Sequence, residues 1–171
     1  MRALPVAALV FRRSNGGTVC LGASAVETIL RHRQHRARDP EAGGILLGRR
    51  ILDTDDVVID LASEPHIEDS RGRFRFFRKK EPAQRLVDTS WEQSKGTRNY
   101  LGEWHSHPED DPAPSGLDLG EWQRIIATAL FEQDYLLFAI AGRKSVRMWE
   151  LSRNKRLAVM SVVVPPLEND P

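Results

Sequence analysis

Two histidines separated by a single residue, His105 and His107, are the side chains of this sequence that most directly suggest chemistry. If the residues before Pro108 form a β-strand, both imidazoles project from the same face, because side chains alternate along a strand. They then meet at one point in space, as the first two ligands of a metal ion do. The spacing therefore predicts a metal site at the end of a strand.

A carboxylate follows at a suitable distance. The intervening residues contain Pro108, Pro112 and Pro114 among acidic side chains, a composition typical of a loop. Ser115 then begins an amphipathic helix, so Asp118 lies in its first turn, where the positive end of the helix favours a negative charge. Two imidazoles and one carboxylate, with a fourth position left for water, form the ligand set of a catalytic zinc site.

Each part of this pattern also has a simpler explanation. Ser115 and Asp118 can form a variant of the capping box, which satisfies free amides at a helix start. Paired histidines are also common on protein surfaces. The combination is more specific than its parts, because one short segment would have to supply three ligands and a cap by chance. The predicted helix has its apolar face at Trp122, Ile125, Ile126, Ala129 and Leu130.

The segment from the first histidine to the aspartate resembles the signature of a known family. It matches the His-x-His-Pro-x6-Ser-x2-Asp pattern of the JAMM (JAB1/MPN/Mov34) metallopeptidases without a gap. That family also has an upstream glutamate, and Glu41, at the head of an apolar stretch, is similar to it. The resemblance implies a zinc ion on His105, His107 and Asp118, a water molecule activated by Glu41, and Ser115 assisting the tetrahedral intermediate.

The small size and the residues around the histidines also resemble the prokaryotic branch of this family, particularly the stand-alone JAMM peptidases of bacterial CBASS antiphage operons. This resemblance implies a zinc-dependent isopeptidase that cleaves an amide bond after the C-terminal tail of a conjugated protein. The implied reaction reverses the ubiquitin-like conjugation of a cGAS-like nucleotidyltransferase. The implied fold is α/β (α+β), a mixed, mostly antiparallel curved sheet flanked by helices, with the layering of cytidine deaminases.

The rest of the chain predicts the elements that must position these residues. Its 171 residues suit one domain spanning 1–171, with a loose tail from 165 after two prolines. Helices interspersed with strands, several of them adjacent near the C-terminus, indicate a mixed sheet flanked by helices. Besides the helix after Ser115, a helix is predicted after Leu21, with Val26, Ile29 and Leu30 on one face, in a segment that ends at 39–40, and another at 81–94. Strands are predicted at 3–11, 19–21, 43–51, 57–61, 100–107, 135–141, 146–151 and 157–164.

Residues 65–80 are the least regular part of the sequence. Arginine and phenylalanine alternate at Arg73, Phe74, Arg75 and Phe76, which is typical of a half-buried strand with one wet face. The alternative is an edge that grips the substrate, where an extended peptide adds as a strand and the arginines steer an acidic partner. In the JAMM family an insertion before the histidine strand contacts the ubiquitin-like substrate, so the resemblance makes this region the candidate.

The composition of the chain argues against several other classes of function. The 25 basic and 24 acidic residues give a net charge of +1, so no nucleic acid or anionic membrane is expected as a partner. The apolar run at 3–11 is too short to cross a bilayer. The single cysteine, Cys20, rules out an internal disulfide and the Cys-x-x-Cys pair of the zinc nucleobase deaminases. A cytoplasmic location is the natural expectation.

Two further functions stay open at this point. One is a catalytically silent MPN scaffold that only binds partners, against which the complete ligand set argues. The other is a peptidase that processes a sulfur carrier or a ubiquitin-like precursor, which differs only in the tail of its substrate. Metal content and the effect of changing Glu41 would distinguish the scaffold from the enzymes.

Overall fold

The structure, a computed structural model, describes residues 6–163 and contains a nine-stranded sheet, a separate two-stranded hairpin and three helices within that range. Residues 3–5 of the first predicted strand and the predicted tail from 165 lie outside the described residues. The elements are β1 (Leu9–Arg12), β2 (Thr18–Leu21), α1 (Ala23–Arg31), β3 (Gly43–Arg50), β4 (Val57–Ala62), β5 (Ser70–Gly72), β6 (Arg75–Phe77), α2 (Lys80–Gln93), β7 (Asn99–Ser106), α3 (Gly116–Thr128), β8 (Tyr135–Ala141), β9 (Val146–Ser152), β10 (Leu157–Val159) and β11 (Ser161–Val162).

The large sheet has the order β10-β9-β8-β7-β3-β4-β2-β1-β11. Across the described strands, β2 pairs with β4 and β7 with β8 in parallel, and the other six neighbouring pairs are antiparallel. The predicted mixed, mostly antiparallel sheet is therefore confirmed.

The central strand β8 is buried on both faces, which explains its continuous apolar sequence. Alternate residues enter two separate cores. Leu137 and Ala139 pack in the core that includes the inner face of α1, whereas Leu136 and Phe138 pack in the core that includes α3. The sheet is thus the middle layer, with α1 and α3 covering opposite faces.

The sheet curls until its two edges meet. The single strand predicted at 157–164 is wrong, because β10 pairs with β9 at one edge whereas β11 pairs with β1 at the other. Only Met160 separates the two strands, and it is buried. Arg13 and Glu150 form an ion pair of 2.9 Å that joins the β1–β2 turn to β9. The change of partner follows from the twist of the sheet, which brings its edges together.

Helix α3 confirms most of the apolar face predicted after Ser115. Trp122, Ile125 and Ile126 are buried against the sheet. The inclusion of Leu130 is wrong: the helix ends at Thr128, the next residue is extended, and Leu130 is 96% exposed. No helix within residues 6–163 combines the length and the apolar character needed to cross a bilayer.

The least regular segment, 65–80, contains the β5–β6 hairpin. The prediction of one strand through Arg73, Phe74, Arg75 and Phe76 is wrong, because Arg73 and Phe74 form the turn of the hairpin and Phe74 is 66% exposed. Only Arg75–Phe77 is a strand there, in which Phe76 is half-buried and its two neighbours are exposed. The backbone N–H of Glu41 donates to the carbonyl oxygen of Gly72 over 2.7 Å, which fixes the hairpin to the start of β3.

Candidate metal centre

The three predicted ligands lie together where the strand β7 ends and the helix α3 begins. The Nε2 atoms of His105 and His107 are 3.0 Å apart. Asp118 places Oδ1 3.2 Å from Nε2 of His105 and Oδ2 3.1 Å from Nε2 of His107. The prediction that both imidazoles meet on one face of a strand is confirmed, and the helix start brings a carboxylate to them.

This arrangement fits a zinc ion. Tetrahedral zinc binds nitrogen and oxygen ligands at ~2.0–2.1 Å, which separates neighbouring ligand atoms by about 3.3 Å. The three contacts of 3.0 to 3.2 Å between His105, His107 and Asp118 are close to that spacing. Imidazole nitrogens and a carboxylate oxygen are also the donors that a catalytic zinc site uses. The residues present therefore fit the metal that the sequence pattern implies.

A bulge in β7 decides which face of the sheet receives the histidines. Leu101 and Trp104 enter the same core although they are three residues apart. The pairing of β7 with β3 skips one residue next to Gly102, whose φ of +153° few other residues adopt. A Cβ atom there would lie 1.7 Å from the carbonyl oxygen of Leu137. The bulge moves His105 onto the face covered by α3, opposite to Trp104.

The loop between the histidines and α3 is held by the turn between β8 and β9. Asp110 forms ion pairs of 2.8 Å with both Arg143 and Lys144. The backbone of Gly142 lies so close to the loop that a Cβ atom there would be 2.5 Å from the carbonyl oxygen of Asp110. An acidic side chain of the loop thus fastens it to the β8–β9 turn, and Pro112 is buried within it. This contact directs the start of α3 back to the histidines.

Ser115 and Asp118 also form the capping box. The Oγ of Ser115 accepts from the backbone N–H of Asp118 over 3.1 Å, and the backbone N–H of Ser115 donates to Oδ2 of Asp118 over 2.6 Å. The Ser115 hydroxyl donates to the same oxygen over 2.8 Å. The two explanations of this motif are therefore compatible, since one carboxylate caps the helix and faces both imidazoles.

Glu41 lies beside the three ligands. Only 3% of the residue is exposed, and its Oε1 is 4.0 Å from Nε2 of His107. Burial raises the pKa of Glu41 to about 7, although the nearby His107 lowers it, and the negative charges of Asp118 and Glu109 raise it further. A carboxylate with a pKa near neutrality can accept a proton and return it.

The surroundings shift the pKa values of Asp118 and His107 in opposite directions. Burial raises the pKa of Asp118, but hydrogen bonds from His105 and His107 outweigh this and hold it well below its usual range. Burial lowers the pKa of His107, but its hydrogen bond to Asp118 and the charges of Asp118, Glu41 and Glu109 leave it above its usual value. The site therefore holds a carboxylate that is ionised at neutral pH and an excess of negative charge, which favours a cation.

Comparison with known proteins agrees with this geometry. The family described as prokaryotic homologues of the JAB domain matches residues 23–152. The chain belongs to this family. The match contains the metal centre and every strand from β3 to β9, so the resemblance seen in the sequence is confirmed at the level of the family.

Several relatives of this JAB domain carry the name CD-NTase/cGAS isopeptidase. The protein of Pseudomonas aeruginosa (strain BWHPSA011 / Pa011) is 42% identical over 123 residues, 72% of this chain and 76% of its own. The protein of Vibrio cholerae serotype O1 is 39% identical over 136 residues, 80% and 83% of the two chains. The protein of Escherichia coli (strain TW11681) is 35% identical over 147 residues, 85% and 90% of the chains.

A solved structure supports the fold alone. The solution structure of protein DSY2949 from Desulfitobacterium hafniense superimposes with a TM-score of 0.53 at 21% sequence identity. It covers 81% of this chain and 87% of that chain.

The residues of the candidate substrate region, 73–76, have two different environments. The ring of Phe76 packs over Gly43, where a Cβ atom would lie 2.5 Å from it. Phe76 and Phe77 also line a crevice, opposite Leu117 and Trp122 of α3, that reaches Asp118. Arg73, Phe74 and Arg75 lie on the exposed side of the same hairpin, with the Arg73 guanidinium 4.8 Å from the ring centre of Phe74.

Sequence reasoning missed the polar residues behind the JAB-domain metal centre. Ser106, between the two histidines, points to the opposite face, where its Oγ accepts from the backbone N–H of Ala42 and donates to Gln34. The side chain of Arg71 donates to the carbonyl oxygen of Glu41 over 2.7 Å. Strand alternation could have pointed to Ser106. No local pattern distinguishes Gln34 or Arg71, since both lie among arginines in irregular segments.

Proposed function

We propose that this JAB-family hydrolase is a zinc-dependent isopeptidase that cleaves the amide bond after the C-terminal tail of a conjugated protein. The observation that carries the proposal is the convergence of His105, His107 and Asp118 within 3.2 Å, beside the buried Glu41. The names of relatives at 35 to 42% identity supply the substrate class, a conjugate of a cGAS-like nucleotidyltransferase (CD-NTase). The antiphage setting follows from the resemblance to CBASS peptidases.

The chemistry is hydrolysis of an amide. His105, His107 and Asp118 would hold one zinc ion, which polarises a carbonyl group and lowers the pKa of water to about 7. Glu41 accepts a proton as water adds to the carbonyl carbon. It then gives that proton to the amine nitrogen as the C–N bond breaks, so that a carboxylic acid and an amine form and Glu41 is restored. The carboxylic acid passes its remaining proton to the amine, which leaves as an ammonium group.

Ser115 supports the oxygen that becomes negative during this reaction. Its hydroxyl now donates to Oδ2 of Asp118 over 2.8 Å. Rotation about the Cβ–Oγ bond would turn that hydrogen toward a substrate carbonyl, while Oγ keeps the hydrogen bond from the backbone N–H of Asp118 and the backbone N–H of Ser115 continues to hold Asp118 over 2.6 Å. A hydrogen-bond donor aimed at a developing oxyanion contributes about 10²–10³ in rate.

The tail of the substrate would lie in the crevice between the hairpin and α3. Among the described strands, β6 pairs only with β5, so its second edge can accept an extended peptide as a further strand. Phe76 would contact the tail near the metal centre, whereas Arg73 and Arg75 would steer an acidic surface of the conjugate. Exposed arginines act mainly on the rate of association, and salt screens them.

The deciding experiment uses two substrates. In one, the C-terminal carboxyl of a CD-NTase is joined to the lysine side chain of a fluorescent peptide; in the other, the same tail is fused through a linear peptide bond to a carrier protein. Zinc-loaded enzyme is expected to release the unmodified C-terminus from the lysine conjugate, as seen by mass spectrometry. Cleavage of the linear fusion alone would favour precursor processing, and cleavage of neither would contradict the proposal.

A pair of charge reversals tests the substrate region. Arg73→Glu is expected to raise KM at low salt, and the effect should shrink as salt is added, because screening removes the steering. Arg156→Glu, a likewise exposed arginine at the far end of the sheet, is the control and should leave KM unchanged. Equal effects of the two variants would contradict a specific role of the hairpin.

A further inference from the structure

The buried amide of Gln34 links the segments that surround the metal centre. The residue is 1% exposed and lies in the loop after α1. Its Nε2 donates to the carbonyl oxygens of Asp39 and Arg73, both over 3.0 Å, and its Oε1 accepts from the hydroxyl of Ser106 over 3.1 Å. Two carbonyl groups on one side require the NH₂ group there, so the orientation of the amide is determined by its neighbours.

The hydroxyl of Ser106 extends this link to the residue after Glu41. Its Oγ accepts from the backbone N–H of Ala42 over 2.9 Å, and the backbone N–H of Ser106 donates to the carbonyl oxygen of Ala42 over 2.8 Å. Ser106 separates the two histidines, and Ala42 follows Glu41 directly. A chain of hydrogen bonds from Gln34 therefore joins the backbone of the acid to the strand of the metal ligands.

The hairpin forms the other end of the same network. The backbone N–H of Glu41 donates to Gly72 over 2.7 Å, and Gln34 holds the next residue, Arg73. The side chain of Arg71 donates to the carbonyl oxygen of Glu41 over 2.7 Å. Glu41 is thus attached to the hairpin by two direct hydrogen bonds, and Gln34 fastens the hairpin to β7.

We propose that Gln34 is a positioning residue for Glu41, which sets the distance of its carboxylate from the metal ligands through the backbone. The inference rests on the proposed function, in which Glu41 moves the proton. Its Oε1 stands 4.0 Å from Nε2 of His107, and displacement of a catalytic group by about 1 Å costs about 10²-fold in rate. Among the described residues the Gln34 side chain hydrogen-bonds to Asp39, Arg73 and Ser106, none of which is a candidate ligand, so its loss should move the acid while the metal stays bound.

A double-mutant cycle tests this relation. Gln34→Met keeps the length of the side chain but removes its hydrogen bonds. It is expected to lower single-turnover cleavage of the CD-NTase–lysine conjugate by about 10- to 100-fold, with zinc content unchanged. In a Glu41→Gln background the same change is expected to have less than about a twofold effect, because residues that act through one group are non-additive. Ser106→Ala is a second variant, which removes a single oxygen atom and with it the hydrogen bonds to Gln34 and Ala42.

Gln133→Met is the matched control. Gln133 is also a buried glutamine, 4% exposed, and its Nε2 donates to the carbonyl oxygen of Tyr100 at the far end of the sheet. Its replacement should lower the melting temperature without changing the cleavage rate. If Gln34→Met causes the same loss of rate in the wild-type and Glu41→Gln backgrounds, the positioning role is overturned.

Hydrogen exchange separates this inference from the proposed function. In wild type the N–H groups of Glu41 and Ala42 are hydrogen-bonded within the network. Gln34→Met is expected to speed exchange in the peptides that contain residues 39–43 and 70–73, whereas Gln133→Met should not. If the wild-type enzyme cleaves neither substrate, the proposed function fails, whatever the exchange shows. If exchange in Gln34→Met is the same as in wild type, the proposed hydrogen-bond network is overturned, whatever the cleavage shows.

Discussion

The two ends of the sheet differ in size and in the arrangement of their charged side chains. A cleft of about 890 Å³ opens at the end where β3 finishes and β7 begins. The crevice that reaches Asp118 holds about 30 Å³, and it shares Phe76 and Phe77 with a second cavity of about 360 Å³ between the hairpin and α3. In the large cleft every arginine is paired: Arg13 with Glu150 over 2.9 Å, Arg50 with Glu132 over 2.8 Å, and Arg49 with Asp60. Arg13 also donates to the carbonyl oxygen of Asp55 and stacks on Tyr135.

Asp118 and His105, which line the small crevice, converge there with His107. The buried Glu41, whose pKa is raised to about 7, lies 4.0 Å from His107 behind them. Perturbed titratable groups that converge at one point are typical of functional sites. The comparison teaches that the convergence of such groups, rather than cleft volume, is the ground for placing the proposed chemistry beside Asp118.

The strongest test of this comparison removes a metal ligand. His107→Ala is expected to lose both zinc and cleavage, because two remaining ligands do not form a zinc site. Zinc content by atomic emission and cleavage of the lysine conjugate measure this. Glu132→Ala breaks an exposed 2.8 Å ion pair with Arg50 in the large cleft and should change neither property. Loss of activity in that control would mean that the large cleft takes part in catalysis.

Replacement of the acid should separate metal binding from chemistry. Glu41→Gln is expected to keep zinc and to lower kcat by about 10²–10⁴, the usual contribution of a general acid and base. The carboxamide keeps the size of the side chain but cannot accept the proton. Zinc titration and single-turnover kinetics on the same preparation check both halves. Turnover that stays at the wild-type level would remove Glu41 from the mechanism.

Breaking the Arg13–Glu150 ion pair beside the large cleft should lower stability without affecting the candidate metal centre. Glu150→Ala leaves the Arg13 guanidinium, whose side chain is 4% exposed, without its partner across the seam of the sheet. Breaking a buried ion pair costs about 3 kcal/mol in the free energy of unfolding. The corresponding fall in melting temperature is about 6–12 °C for a chain of this length. Calorimetry measures the fall, and a weaker zinc affinity in this variant would contradict the separation of the two ends.

The smallest expected effect is the pH dependence of zinc binding. The pKa of metal-free His107 lies above its usual value, and zinc binds the neutral imidazole. As the pH falls through that pKa, protons compete and the apparent zinc affinity decreases by up to about tenfold per pH unit. Asp118 adds nothing in this range, since its pKa lies well below its usual value. Competition titrations with a chromophoric chelator test this; an affinity that rises on acidification has the wrong sign.

The candidate metal ligands were predictable because their geometry is local. Alternation along a strand orients His105 and His107, and the preference for an acid in the first helical turn selects Asp118. Glu41 was found only through the family resemblance, since no spacing relates it to the histidines more than sixty residues away. Gln34 was not found at all, because its role arises from contacts with Arg73 and Ser106 that are distant in sequence.

The sequence alone determined the ligand types, the cap of α3 and the strands and helices whose apolar periods are clear. The tertiary structure decided which face received the histidines, through the bulge at Gly102, and how the acidic loop attaches to the β8–β9 turn. It also decided that the chain changes partners at Met160, where the two edges of the sheet meet. The physical reason is the range of the forces: side-chain alternation and helix capping act within a few residues, whereas bulges, sheet closure and the surroundings of Glu41 depend on packing between segments far apart in the chain.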